Sequence, residues 1–150
     1  MRAKYLGLDL PSPIIVSSSP YTSNVKSVEQ CAASGAGAVV LKSIFEEQIL
    51  HHAASLEQYS DSPYGDAGDY LQRYLGEDYK AGFLRLVQEA RSKTELPVIA
   101  SINCVVDKGD WIEYATAMAD AGASALELNI FIQSTDIHAQ ARELELNYAE

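Results

Sequence analysis

The feature that most constrains the fold of this chain is a set of three short apolar runs separated by segments with helical periodicity. The runs cover residues 38–41, 97–102 and 125–130. Each is rich in Val, Ile, Leu or Ala and too short for a helix, which is typical of strands buried on both faces of a parallel sheet. The chain is therefore predicted to be an α/β protein.

The segments around these runs carry apolar residues at helical spacing. The predicted helices cover residues 24–34, 78–93, 111–121 and 138–149. Ser23 is the predicted N-cap of the first helix, and Asp110 with Glu113 has capping-box spacing at the start of the third. Gly35 and Gly122 are placed to end the first and third helices.

A weak internal repeat links two of the predicted strands. In residues 35–42 and 122–129, a glycine is followed by small residues, an apolar run and a polar side chain seven positions beyond the glycine. Repeated αβ units belong to doubly wound sheets or to (β/α)8 barrels. No GxGxxG follows a strand, which disfavours a Rossmann fold. Two extended runs, residues 5–10 and 13–17, are predicted to pair as a short hairpin before the barrel.

Residues 45–76 interrupt this pattern with Ser, Asp, Gly and Tyr. A connection between a strand and a helix usually takes only a few residues. One interpretation is a lid or binding loop, and the other is a surface excursion that packs its tyrosines against the barrel rim.

Charge and cysteine usage narrow the class of partner. Eleven basic and twenty-one acidic residues give a formal net charge of −10, which disfavours nucleic acid and anionic membranes as partners and leaves a small molecule. Cys31 and Cys104 lie far apart without the spacing of a zinc site or a disulfide framework, so no metal is expected and a reducing cytoplasm fits. The first residues and the lengths of the apolar runs predict neither export nor a membrane span.

Ligands of barrels and open α/β sheets collect at the carboxyl ends of the strands. The polar residues that end the three runs are Lys42, Ser43, Ser101, Asn103, Glu127 and Asn129. A lysine after four apolar residues is costly to bury unpaired, so Lys42 either reaches an anionic partner or extends to water. The amide of Asn129 suits the edge of a planar heterocycle, or simply caps its strand. Glu127 is interpreted as a carboxylate inside the barrel or one that supports neighbouring side chains, and it receives no separate role.

Four blocks together resemble the dihydroorotate dehydrogenase family, in order and at suitable spacing. They are PIIVSSSP at 13–20, GAGAVVLKS at 35–43, PVIASI at 97–102 and ALELNI at 125–130. Each block is weakly specific alone, but the four span most of the chain.

The resemblance implies that residues 1–150 form the N-terminal part of a (β/α)8 TIM barrel, with about three βα units after a short hairpin and no second domain. It implies FMN bound at the carboxyl ends of the strands and a soluble cytoplasmic oxidoreductase. Hydride would pass from dihydroorotate, or a related cyclic substrate, to flavin N5 while a protein base takes a proton, as in pyrimidine biosynthesis.

The resemblance also implies the cofactor site residue by residue. The flavin-contacting positions of the family fall on Ser17, Ser18, Ser19, Lys42, Ser43 and Asn129. Ser19 stands where the family usually has glycine. An ammonium group at Lys42 stabilises the negative charge that develops on the reduced ring. Lys42 and Asn129 are also the positions expected to contact substrate.

The active-site loop departs from the family. The position of the family's base is Ile132, which cannot take a proton, so no catalytic residue is assigned. Ser134, Thr135 and Cys104 are the nearby candidates to replace it. The family's substrate-binding Asn-Ser-Met-Gly segment is also absent from residues 45–76.

Two alternatives remain open. One is a barrel lyase or aldolase in which Lys42 forms a Schiff base with a carbonyl substrate. The other is a non-catalytic barrel fragment or assembly subunit. Three strands cannot close an eight-stranded barrel, so we expect a fragment of a longer protein, a homo-oligomer, or a second chain that completes the barrel.

Overall fold

The computed structural model describes residues 2–45, 66–104, 110–130, 138 and 140–142. The elements in chain order are β1 (Ala3–Tyr5), β2 (Leu8–Leu10), β3 (Ile15–Val16), a 3-10 turn (Pro20–Ser23), α1 (Val25–Ala33), β4 (Ala38–Val40), β5 (Ile44–Phe45), α2 (Asp66–Lys93), β6 (Val98–Cys104), α3 (Asp110–Asp120) and β7 (Ala125–Ile130).

A parallel sheet organises the described part of the chain. β3 pairs with β4, β4 with β6, and β6 with β7, while β5 continues the line of β4 along β6. The strand positions therefore follow one another in chain order, with a helix between successive positions. Doubly wound sheets reverse this order at a switch point, whereas barrels keep it. The protein is α/β, and its sheet is compatible with part of a TIM-barrel-like unit.

The two faces of the sheet have different cover. On one face, alternate strand residues pack against all three helices; this core includes Val28, Val39, Leu41, Phe83, Val87, Val98, Ala100 and Met118. On the other face, a smaller cluster joins Leu10 of β2 to Ala38, Val40 and Ile99. Because strand side chains alternate between faces, β4 and β6 contribute to both clusters.

The internal repeat of the sequence corresponds to a repeated backbone conformation at the connection from helix to strand. Gly35 and Gly122 end α1 and α3 with φ values of 85° and 98°. The amide after each glycine donates to a carbonyl five residues earlier, at 3.1 and 3.0 Å, which is the hydrogen bond of a Schellman motif. Two residues after each glycine, the amides of Gly37 and Ser124 donate to the neighbouring strand segment, both at 2.7 Å. One sequence pattern therefore directs the chain from helix to strand twice.

The predicted N-cap of α1 is wrong, whereas the predicted capping box of α3 involves the side chain of Asp110, which lies outside the described residues. Asn24, not Ser23, caps α1, and its Oδ1 accepts the Ser27 amide at 3.0 Å. Ser23 belongs to the 3-10 turn, where its hydroxyl donates to a turn carbonyl at 2.7 Å. Glu113 of α3 pairs with Lys80 of α2. This hydrogen bond and the lysine charge hold the pKa of the Glu113 carboxyl below its ordinary value of 4.5.

The predicted pairing of residues 5–10 with residues 13–17 is wrong. The hairpin closes within residues 3–10, through a two-residue turn at Leu6 and Gly7 with φ of 49° and 75°. Two positive φ values are typical of a type I′ turn, which fits the twist of a hairpin. The prolines that follow lack an amide donor and cannot extend the ladder. Residues 15–16 instead form the first strand of the parallel sheet. The run at residues 38–41, which was expected to be the first strand, is therefore the second, and Lys42 follows this second strand.

The prediction of an irregular segment over residues 45–76 is wrong where the structure describes it. Phe45 ends β5, and α2 already begins at Asp66. The backbone is helical without interruption from Asp66 to Lys93, and a glycine inside a helix costs only about 1 kcal/mol. The intervening residues 46–65 lie outside the described segments, and so do the lid and rim interpretations.

The predicted helix over 138–149 lies mostly outside the described residues, although Ala141 and Arg142 are helical. Within the described segments, no helix is both long and apolar enough to cross a membrane. The cytoplasmic location stays a prediction.

Candidate functional site

Four side chains form one hydrogen-bonded series across the parallel sheet, here called the hydroxyl row: Ser18, Ser43, Ser101 and Glu127. The first two follow β3 and β4, and the last two lie in the middle of β6 and β7. Ser18 Oγ lies 3.0 Å from Ser43 Oγ and also accepts the Ser43 amide at 3.0 Å. Ser43 Oγ lies 2.8 Å from Ser101 Oγ, and the Ser101 hydroxyl donates to Glu127 Oε1 at 2.7 Å. Each member comes from a successive strand position, so the row crosses the sheet from β3 to β7.

The centre of the hydroxyl row is buried, and its two ends are accessible to solvent. Ser101 is fully buried and Ser43 is 8% exposed. Ser18 is half-buried and Glu127 is exposed. Among the described residues, no buried side-chain nitrogen or oxygen lacks a hydrogen-bond partner. Burial of a hydroxyl group without a hydrogen-bond partner is unfavourable. The row supplies a partner for each buried hydroxyl that it contains.

A bulge between β4 and β5 decides which residue joins the row. From Val40 to Ile44 the chain advances by four residues, while the paired residues of β6 advance by three. The extra residue is a β-bulge, and a shift of one residue exchanges the faces of a strand. The bulge therefore brings Ser43, rather than Lys42, beside Ser101.

Lys42 lies next to the row, on a cavity between the strand end and α2. Its side chain is half-buried, and its backbone amide donates to the carbonyl of Thr22 at 3.3 Å. The cavity has a volume of about 470 Å³, and its lining comprises Ser23, Lys42, Ser43, Gly82, Phe83, Arg85 and Leu86. Among these lining residues two are cationic and none is acidic, although the whole chain carries a net charge of −10.

The structure places the remaining predicted site residues around this edge without joining them to the row. Ser17 is exposed after β3. Ser19 is half-buried, and its backbone is held by Thr22, whose hydroxyl accepts the Ser19 amide at 3.2 Å and donates to the Ser19 carbonyl at 3.0 Å. Asn129 is exposed on β7, two residues beyond Glu127 and opposite Asn103 of β6. Residues two apart share one face of a strand, so Asn129 lies on the face of the row.

Of the predicted site residues, Ser18 and Ser43 belong to the hydroxyl row. Ser18 and Ser43, which are 25 positions apart in the chain, are in direct contact. Lys42 lines the cavity beside α2 together with Ser43 and is not a member of the row.

Sequence reasoning missed the roles of Ser101 and Glu127. The sequence predicts Ser101 only as a polar strand end, and it predicts Glu127 only as an interior or supporting carboxylate without a separate role. A signal was present, because both stand two residues before an asparagine at the end of an apolar strand. The strand register pairs Ser101 with Glu127, which places the two side chains as neighbours.

The residues considered for proton transfer cannot be placed. Ile132, Ser134 and Thr135 lie outside the described residues, and only the backbone of Cys104 is described.

A search of the chain against models of known protein families finds no match. The fold and the site define the class of the chain as an α/β protein with a hydroxyl row across a parallel sheet. Within the described segments, no group of three or more His, Cys, Asp or Glu residues is arranged to hold a metal ion.

Proposed function

We propose that this chain forms part of an FMN-binding (β/α)8 barrel that resembles the dihydroorotate dehydrogenases. Its proposed reaction is the oxidation of dihydroorotate, or of a related cyclic substrate, by hydride transfer to the flavin. The observation that carries the proposal is the contact between Ser18 and Ser43, at 3.0 Å. The resemblance assigns both residues to the flavin, and the fold brings them together across two strand positions.

The order of the sheet supports the barrel. Strand positions follow the chain order, and the three helices pack on one face of the described sheet. The polar edge lies at the carboxyl ends of the strands, where barrel enzymes bind their ligands.

The donor set of this edge fits a flavin. The polar edge of an isoalloxazine ring carries carbonyl oxygens and ring nitrogens, which pair with amide, hydroxyl and ammonium groups. Asn129, Ser17 and Ser18 offer the first two, and Lys42 offers the third. Bound FMN would supply a two-electron acceptor. Lys42 would stabilise negative charge at the N1/C2 edge of the ring. This role is electrostatic and involves no proton transfer.

The test is flavin binding by the full chain, measured as the quenching of FMN fluorescence. Loss of one charge-assisted hydrogen bond in Lys42→Ala should weaken binding by about tenfold or more. Lys93→Ala is the matched control, because it removes the same charge from an exposed position at the end of α2. A wild-type chain that leaves FMN unbound, or equal affinity for wild type and Lys42→Ala, contradicts the proposal.

The cavity beside Lys42 favours a second candidate, a lyase or aldolase that forms a Schiff base. A volume of about 470 Å³ is sufficient for a small carbonyl compound next to the amine. The lysine amine would add to the carbonyl carbon, and loss of water would leave the imine. Incubation with pyruvate and borohydride, followed by peptide mass spectrometry, should then show reduced adduct on Lys42. Modification spread evenly over exposed lysines contradicts this candidate.

A partner that completes the sheet is a further proposal. The segments at the two outer positions of the described sheet carry exposed apolar side chains, with Ile14 64% and Leu128 45% exposed. Apolar surface beside strand edges favours association. Native mass spectrometry should detect a homo-oligomer or a complex with a second chain; a monomer at micromolar concentration contradicts the proposal.

A further inference from the structure

We infer that Glu127 sets the direction of every hydrogen bond in the hydroxyl row, so that Ser18 meets a ligand only as an acceptor. Glu127 is thus a positioning residue that acts through two other side chains. The ligand group selected at Ser18 is one that carries an N–H or O–H.

The direction follows from counting protons. The Ser101 hydroxyl donates to the carboxylate of Glu127 at 2.7 Å. A serine hydroxyl has a single proton, so Ser101 can only accept in its 2.8 Å contact with Ser43 Oγ. The Ser43 proton is therefore committed to Ser101. By the same argument, Ser18 Oγ must donate in its 3.0 Å contact with Ser43 Oγ.

The hydroxyl of Ser18 then has one hydrogen-bonding position left. Its proton is directed to Ser43 Oγ, and one of its two lone pairs accepts the Ser43 amide at 3.0 Å. The second lone pair can accept a hydrogen bond but cannot donate one. Ser18 is half-buried next to the edge where ligands are expected, so this lone pair can be offered to a bound group.

Burial of the centre of the row prevents water from reversing the direction of its hydrogen bonds. Ser101 has no exposed surface and Ser43 has only 8%, so bulk water has little access to either hydroxyl. The only described end of the row that accepts without donating is the carboxylate of Glu127. A glutamine there keeps the shape and an acceptor oxygen, but its NH2 group can donate to Ser101. Either direction then becomes available, and Ser18 can present a donor instead.

The chemistry of the proposed cofactor fits an acceptor at Ser18. The oxidised isoalloxazine ring has one N–H group, at N3, between two carbonyls that only accept. This step rests on the proposed function. It leads to the inference that Ser18 pairs with the N3–H group and that Glu127 maintains the preference from three strand positions away.

The experiment compares FMN with 3-methyl-FMN, which lacks only the N3–H donor. Dissociation constants are measured by fluorescence quenching for wild type, Glu127→Gln and Glu29→Gln, the last being a matched control with an exposed carboxylate on α1. Wild type and Glu29→Gln should prefer FMN by about tenfold, as expected for one lost hydrogen bond to a half-buried partner. Glu127→Gln should prefer FMN by roughly threefold or less. An unchanged preference in Glu127→Gln overturns the inference.

Neutron diffraction on deuterium-exchanged crystals tests the direction of the row without any ligand. We expect deuterium on Ser18 Oγ directed at Ser43, and deuterium on Ser43 directed at Ser101. Density for the reverse direction overturns the inference even if FMN binds. If the wild-type chain binds no FMN, the proposed function fails, and the neutron map still decides the role of Glu127. The melting temperature of Glu127→Gln should match wild type, because Ser101 keeps an acceptor.

Discussion

Gly37 is the backbone position at which a single added carbon should matter most. It lies between α1 and β4, where its amide donates to the Ile14 carbonyl at 2.7 Å. A Cβ built on Gly37 would lie 1.9 Å from the carbonyl oxygen of Ser12 and 2.8 Å from its carbon. Both are backbone atoms, so no side-chain rotation relieves the contact. Gly37→Ala should therefore separate β3 from β4.

The size of the effect follows from the displacement required. The Ser12 oxygen must retreat by about 1 Å, which is the difference between 1.9 Å and the 3.0 Å below which Cβ contacts essentially never occur. β3 pairs with β4 through only two residues, so this shift removes much of its attachment. We expect a loss of about 3 kcal/mol in the free energy of unfolding, at the upper end for overpacking. That corresponds to a fall in Tm of roughly 6 to 12 °C.

Thermal and urea unfolding followed by circular dichroism measure this loss, with two alanine substitutions as controls. Gly35→Ala adds a Cβ in open space but at φ of 85°, and should cost about 1 kcal/mol. Gly82→Ala also meets open space, inside α2, and should stabilise by about 0.5 to 1 kcal/mol. A Gly37→Ala variant with a Tm within 2 °C of wild type would falsify the close approach between Ser12 and Gly37.

Four further substitutions test the row, the core and the pair between helices. Ser101→Ala removes the centre of the hydroxyl row and should destabilise by about 1 to 3 kcal/mol in urea unfolding; no loss would mean that the row contributes little. Leu41→Ala, in the fully buried core, should cost about 2 to 5 kcal/mol, whereas Leu128→Ala, 45% exposed, should cost less than about 1 kcal/mol in the same assay. Lys80 lowers the pKa of Glu113, so the stability that Glu113 contributes is present above its ordinary value of 4.5 and is lost as the pH falls through the lower folded-state pKa. The Tm difference between wild type and Glu113→Gln should therefore be present at neutral pH and vanish in acid; a difference that persists there contradicts the assignment.

Local pattern was sufficient for most buried elements. The run at residues 125–130 is β7, and the runs at 38–41 and 97–102 differ from β4 and β6 only at their ends. The predicted helices over 24–34 and 111–121 agree with α1 and α3 within a residue or so. Apolar periodicity and glycine stops are local properties, so they can be read without knowing the partner of each element.

The elements that were missed depend on a partner elsewhere in the chain. β3 has two residues and exists because β4 lies beside it. The hairpin closes at Leu6 and Gly7, a pair without the usual Asn-Gly or Asp-Gly signal of a type I′ turn. The start of α2 was hidden by glycines and tyrosines that a loop would also contain.

Lys42 and Ser43 show where the sequence stops being informative about the site. The sequence by itself determined that a polar pair follows an apolar strand at the edge where ligands collect. The bulge opposite β6 decided which of the two joins the hydroxyl row. A register shift is a property of two strands that lie more than fifty residues apart here, and one residue of shift exchanges their faces. For the same reason, only the tertiary structure could join Ser18 to Glu127.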